Sequence, residues 1–60
     1  MTYEQAAAAY DAAQTFGDAM AARMAMIDAA YDEEGRDYGY AYDDERRSAA
    51  AEVRQSWGRD

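Results

Sequence analysis

The sequence predicts an all-α fold, an antiparallel helical hairpin completed by oligomerisation or by a partner. Three observations predict it. Ala supplies 16 of the 60 residues and Pro is absent; Ala is the strongest helix former and Pro the strongest breaker. Apolar and small residues recur at alternating steps of three and four from Tyr3 to Tyr31. The stretch Gly35-Arg36-Asp37 then separates this run from a second helical pattern.

The first helix is expected over residues 3–34. Thr2-Tyr3-Glu4-Gln5 reads as a capping box, in which the Thr2 hydroxyl accepts from the Gln5 amide and the Gln5 side chain reaches back to Thr2. Glu4 sits in the first turn, where the helix dipole favours an acid. Beyond it only Gly17 opposes helix. Tyr3, Ala6, Tyr10, Ala13, Gly17, Met20, Met24, Ile27 and Tyr31 form an a/d seam over four heptads, the pattern of a coiled coil. A continuous helix of this length would run about 46 Å. Gly35 offers a left-handed stop.

The second helix is expected over residues 38–57, capped by Asp37 and stopped by Gly58. Tyr38, Tyr42, Arg46, Ala49, Val53 and Trp57 share its inner face. A start near Asp43 or Asp44 is the alternative, because Gly39 in a first turn costs about 1 kcal/mol relative to Ala. A turn of a few residues makes the two helices antiparallel neighbours. The register then sets Tyr42 beside Tyr31, Ala49 beside Met24 and Trp57 beside Phe16 and Gly17. Arg46 is expected to lay its stem along the seam with its head outside.

On this reading the second helix reaches only to about Phe16, so Tyr3, Ala6, Tyr10 and Ala13 lack a partner within the chain. Phe16 and Met26 lie off the seam on one side of the first helix, together with Ala9, Ala12, Ala19 and Ala30. A core built on so little, without disulfides or metals, is marginal alone. Self-association through Tyr3, Tyr10, Phe16 and Met26 is therefore expected, giving a homo-oligomer.

The missing residue types exclude several chemistries. His, Cys, Lys, Leu, Pro and Asn are all absent. There is no disulfide, thiol nucleophile, imidazole base or zinc cluster, and no Schiff-base lysine. An EF-hand alignment that places Gly35 at the sixth position puts Ala30 and Ala41 where oxygen ligands are required. A two-helix hairpin has no cleft in which paired carboxylates could take contrasting roles. No catalytic residue, cofactor or metal is expected, and the chain is read as a non-enzyme. The longest uncharged stretches are six residues, so no membrane span or signal peptide is expected, and the expected location is cytoplasmic.

Charge is the remaining signal. Thirteen acids face six Arg, for a net charge of −7. Residues 31–45 alone carry seven acids, one Arg and four Tyr, whereas residues 46–60 are weakly basic. Net negative charge repels phosphate, so direct nucleic-acid binding is not expected. Asp32, Glu33, Glu34, Asp37, Asp43, Asp44 and Glu45, with Tyr38, Tyr40 and Tyr42, instead form a candidate surface for a protein partner with a basic face. Carboxylates can offer that face negative charge, and tyrosines can stack on its arginines. Small acidic inhibitors, including phage-borne ones, occupy nucleic-acid-binding proteins in this way, and an inhibitor or regulator of such a protein is the expected function. The alternative is a small assembly subunit that packs through its Ala-rich helix, its acids serving only solubility.

Overall fold

The computed structural model describes residues 1–57, and these fold into three helices: α1 (Tyr3–Ala12), α2 (Phe16–Glu34) and α3 (Tyr40–Trp57). The expected single helix over residues 3–34 is therefore two helices. The break falls at residues 13–15, where Ala13 turns extended (ψ 135°) and Thr15 becomes a second N-cap. The Thr15 hydroxyl accepts from the Asp18 amide at 3.1 Å. Asp18 also lies in the first turn of α2, where the dipole favours an acid. The capping box at Thr2 forms as the sequence indicates: Gln5 N–H donates to the Thr2 hydroxyl at 3.1 Å, and Thr2 N–H to Gln5 Oε1 at 3.0 Å.

The break lets α1 fold back antiparallel onto α2. Ala6 and Ala19 become fully buried, and Ala22 and Ala29 nearly so. Seams of Ala permit close approach of helix axes, near the 8 Å lower limit of ordinary packing. The fold-back is tied at its far end by Glu33, whose Oε2 accepts from the Tyr3 amide at 2.7 Å. A carboxylate at a helix N-terminus meets both orphan N–H groups and the positive end of the dipole. The N-terminal seam thus has an intrachain partner, contrary to the expectation that Ala6, Tyr10 and Ala13 would stay uncovered.

The second connection is residues 35–39. Gly35 takes the left-handed conformation (φ 67°, ψ 31°), and the Arg36 amide donates back to the Tyr31 carbonyl at 3.0 Å. α3 then starts at Tyr40, between the two starts expected, with the Gly39 carbonyl accepting from the Asp43 amide at 3.2 Å. The expected stop at Gly58 lies outside the described residues. The α2–α3 seam buries Ile27, Tyr31 and Ala49, with Met24 and Tyr42 packed against them. The Arg46 Nε–H points at Met24 Sδ at 3.4 Å, so its stem follows the seam as expected. The expected seating of Trp57 over Gly17 is not found: a Cβ added at Gly17 would meet nothing within 4 Å.

The two seams use different sides of α2. Ala19, Ala22, Ala29 and Glu33 point to α1, while Met24, Ile27, Asp28 and Tyr31 point to α3. At 100° per residue the two sets are roughly 175° apart. α1 and α3 therefore flank α2 on nearly opposite sides, and the chain is one helix thick, with Cα extents of 37 × 22 × 11 Å.

Gly17, inside α2, and Gly35, at its C-cap, should respond in opposite ways. Gly35→Ala is expected to destabilise by about 1–2 kcal/mol, the cost of a left-handed Cβ. Gly17→Ala should stabilise by up to about 1 kcal/mol, because the helix gains propensity and the space is open. Urea midpoints of the two variants check this. Thr15→Ala should cost about 1 kcal/mol through loss of the α2 cap, with α1 amides exchanging faster than those of α3.

Candidate functional site

The acidic stretch lies at the α2–α3 end, and its chemistry begins with three tyrosines. Gly35 reverses the chain so that Tyr38 and Tyr42 return over Tyr31. Ring centroids are 5.9 Å apart for Tyr31 and Tyr38, 5.2 Å for Tyr31 and Tyr42, and 4.6 Å for Tyr38 and Tyr42. The last two pairs are edge-on, at 80° and 70°, the arrangement the ring quadrupole favours. Only Tyr31 of the three is buried; Tyr42 is half-buried and Tyr38 exposed.

Each hydroxyl donates to a carboxylate. Tyr31 donates to Glu45, Tyr38 to Asp32 and Tyr42 to Asp28. The spacing explains this: Asp28 and Asp32 lie one turn apart on α2, and Tyr42 and Tyr38 are four residues apart on the returning chain. Two arginines close the cluster. The Arg36 guanidinium stands 4.3 Å from the Tyr31 ring centroid, with Glu45 at 3.6 Å and Glu34 at 3.8 Å. The Arg46 guanidinium stands 5.5 Å from the Tyr42 ring.

The carboxylate partners hold the phenols neutral. The hydrogen bond to Asp32 is the main cause that pushes Tyr38 up to about 12, with desolvation and the charges of Asp32 and Asp28 adding to it. Tyr31 is raised chiefly by Glu45, against the opposing pull of Arg36, and Tyr42 chiefly by Asp28.

The ten residues expected to meet a partner therefore divide. Asp32, Glu33, Glu45, Tyr38 and Tyr42 bond within the chain, Glu33 as the anchor of α1. Glu34 and Asp44 make loose surface pairs, with Arg36 and with Arg47 at 3.7 Å. Asp37, Tyr40 and Asp43 point to solvent, Tyr40 at 87% exposure. The outward group is thus Glu34, Asp37, Tyr40, Asp43 and Asp44. Asp28, Arg36 and Arg46 were missed as members of the cluster; the matched four-residue spacings of Asp28/Asp32 and Tyr38/Tyr42 were the signal that could have found Asp28. Of the residues expected to self-associate, Tyr3 and Phe16 are each 42% exposed, whereas Tyr10 and Met26 are half-buried.

Beside the cluster runs a shallow groove of about 650 Å³ across α2, with Met26, Ile27 and Tyr31 on its floor. The Arg23–Glu52 pair lies along it at 3.2 Å. Among the described residues no group of three or more His, Cys, Asp or Glu is gathered to hold a metal ion, and no helix is long and apolar enough to cross a membrane.

The tyrosine pKa shifts give a signed prediction. A phenol raised above its ordinary 10.0 is favoured neutral in the fold, so its contribution is complete below pH 10 and is lost as pH rises through the folded value. Unfolding midpoints should therefore hold steady up to about pH 10, then fall towards pH 12, where Tyr38 ionises. Tyr38→Phe should reduce the steepness of that fall. Denaturant titrations across this range, with tyrosinate absorbance as the second readout, check both.

Compared with protein-family models, with curated proteins and with solved structures, the chain matches none.

Proposed function

We propose that the chain is a non-enzymatic interaction module that offers its acidic α2–α3 end to a basic surface on another protein. The observation that carries this reading is the braced tyrosine cluster. It fixes a platform from which Glu34, Asp37, Tyr40, Asp43 and Asp44 project together. An exposed Tyr among carboxylates suits arginine, which stacks on aromatic rings and bonds carboxylates through its planar fork. Basic surfaces rich in arginine are typical of proteins that grip nucleic-acid phosphates, so the reading extends to an inhibitor or regulator of such a protein. The acids that bond the tyrosines lend this end negative potential while holding its shape.

Immobilised chain should capture its partner from cell extract at low salt and release it at high salt, because exposed charge pairs are screened. Duplex DNA should compete for the captured partner. Replacing Asp37, Asp43 and Asp44 together by Asn should abolish capture, and Tyr40→Ala should weaken it. A partner that survives high salt and the triple replacement, and is lost on Tyr10→Ala, would contradict the reading in favour of apolar helix packing.

A further inference from the structure

A layer one helix thick has two outer edges; that of α1 is acidic, and that of α3 is basic along its C-terminal part, beyond Asp43 and Asp44. On α1 the side turned away from α2 carries Glu4, Ala8 and Asp11, all exposed. On α3 the corresponding side carries Arg47, Ala51 and Arg54, all exposed. Both triplets have the spacing i, i+4, i+7, with Ala between two charges of one sign. Their ends are therefore separated by the same axial distance, about 10.5 Å.

Direction also matches. α1 and α3 are each antiparallel to α2, so they run the same way. A second copy moved sideways in the plane of the layer brings its α1 parallel to the first copy's α3. A slide of about one helical turn aligns the two triplets (5.4 Å). Arg47 then faces Glu4, Arg54 faces Asp11, and Ala51 meets Ala8, where two methyl groups leave room for close approach. The same slide sets Asp43 near the start of the neighbour's α1, where the dipole favours an acid. Among the described residues Arg47 pairs with Asp44, one helical turn away at 3.7 Å, with both side chains more than half exposed. Such a pair is weak and readily exchanged.

We propose that the chain assembles edge to edge with copies of itself, the acidic edge of α1 on one copy docking on the basic edge of α3 on the next. The contact is heterologous, so it leaves a free edge at each end and repeats into rows or closes into a ring. Net charge of −7 opposes crowding of copies, but beyond about 10 Å that repulsion is screened at 0.1 M salt. The contact pairs lie within that distance. The contact shares Asp43 with the acidic end, but its test changes Glu4, Asp11, Arg47 and Arg54 alone, so its failure and that of the acidic-end reading are distinguishable.

Sedimentation equilibrium with exchanged charges tests it. Wild-type chain should show concentration-dependent association beyond a dimer, weakened by about tenfold or more in high salt. Glu4→Arg with Asp11→Arg should abolish association, as should Arg47→Glu with Arg54→Glu. An equal mixture of the two variants should recover it, since each altered edge then meets its complement. The milder pair Glu4→Gln with Asp11→Asn should weaken association while circular dichroism shows wild-type helix, which covers the case in which Arg in the first turn of α1 disturbs folding. A wild-type chain that stays monomeric at millimolar concentration would overturn the proposal. So would variants that associate as wild type does, or a helical mixture that does not recover.

Discussion

The architecture depends on α2 having two inward sides. One is a run of Ala ending at Glu33, and the other a run of Met, Ile and Tyr with Asp28 at its margin. Because these lie on nearly opposite sides of the helix, α1 and α3 cannot meet over a common core. The chain becomes a layer with two thin seams, 11 Å through its Cα atoms. Among the described residues, Tyr31 and Val53 are the only large side chains buried to 2% exposure or less. Small scaffolds without disulfides or metals rest on such narrow margins. Their ends must then be tied individually, here by Thr2, Thr15, Gly35 and Glu33.

The two seams are stabilised differently. The Ala seam contributes little area per residue, and close helix approach makes up part of the difference through dispersion contacts. The tyrosine seam joins apolar packing to polar bonds: rings pack edge to face while each hydroxyl reaches a carboxylate. Acids that seemed to serve only solubility or recognition are thereby part of the fold. A neutral phenol donating to an ionised carboxylate makes a charge-assisted bond, stronger than one between neutral groups. The acidic end is consequently both the most charged and the most cross-linked part of the molecule.

Much of this was legible in the residues. The Thr2 box, the Gly35 stop, the meeting of Tyr31 with Tyr42 and the course of Arg46 all follow from local chemistry and a short turn. The break at residues 13–15 was hidden because the three-four spacing runs through it without a fault, and Ala on both sides favours helix. Its signal was Thr15 followed three residues later by Asp18, next to Gly17. That signal is weak locally and wins only because folding back buries Ala6 against α2. The seating of Trp57 over Gly17 rests on a register extrapolated along α3 from the turn at Gly35, and the space over Gly17 is open. For the candidate site, the acids were visible but their division into braces and outward groups was not. That division depends on which carboxylates the returning tyrosines can reach, and so on the angle of the turn at Gly35.

Whether α1 lies back along α2 is measured by one distance. The chain has no Cys, so cysteines placed at the exposed positions Glu4 and Glu34 can carry a pair of spin labels without ambiguity. In labelled chain diluted with unlabelled chain, the folded-back layer predicts a mean separation of about 20 Å or less, one helix spacing plus the label arms. A continuous helix from residue 3 to residue 34 would instead place the labels about 45 Å apart, and that result would contradict the account.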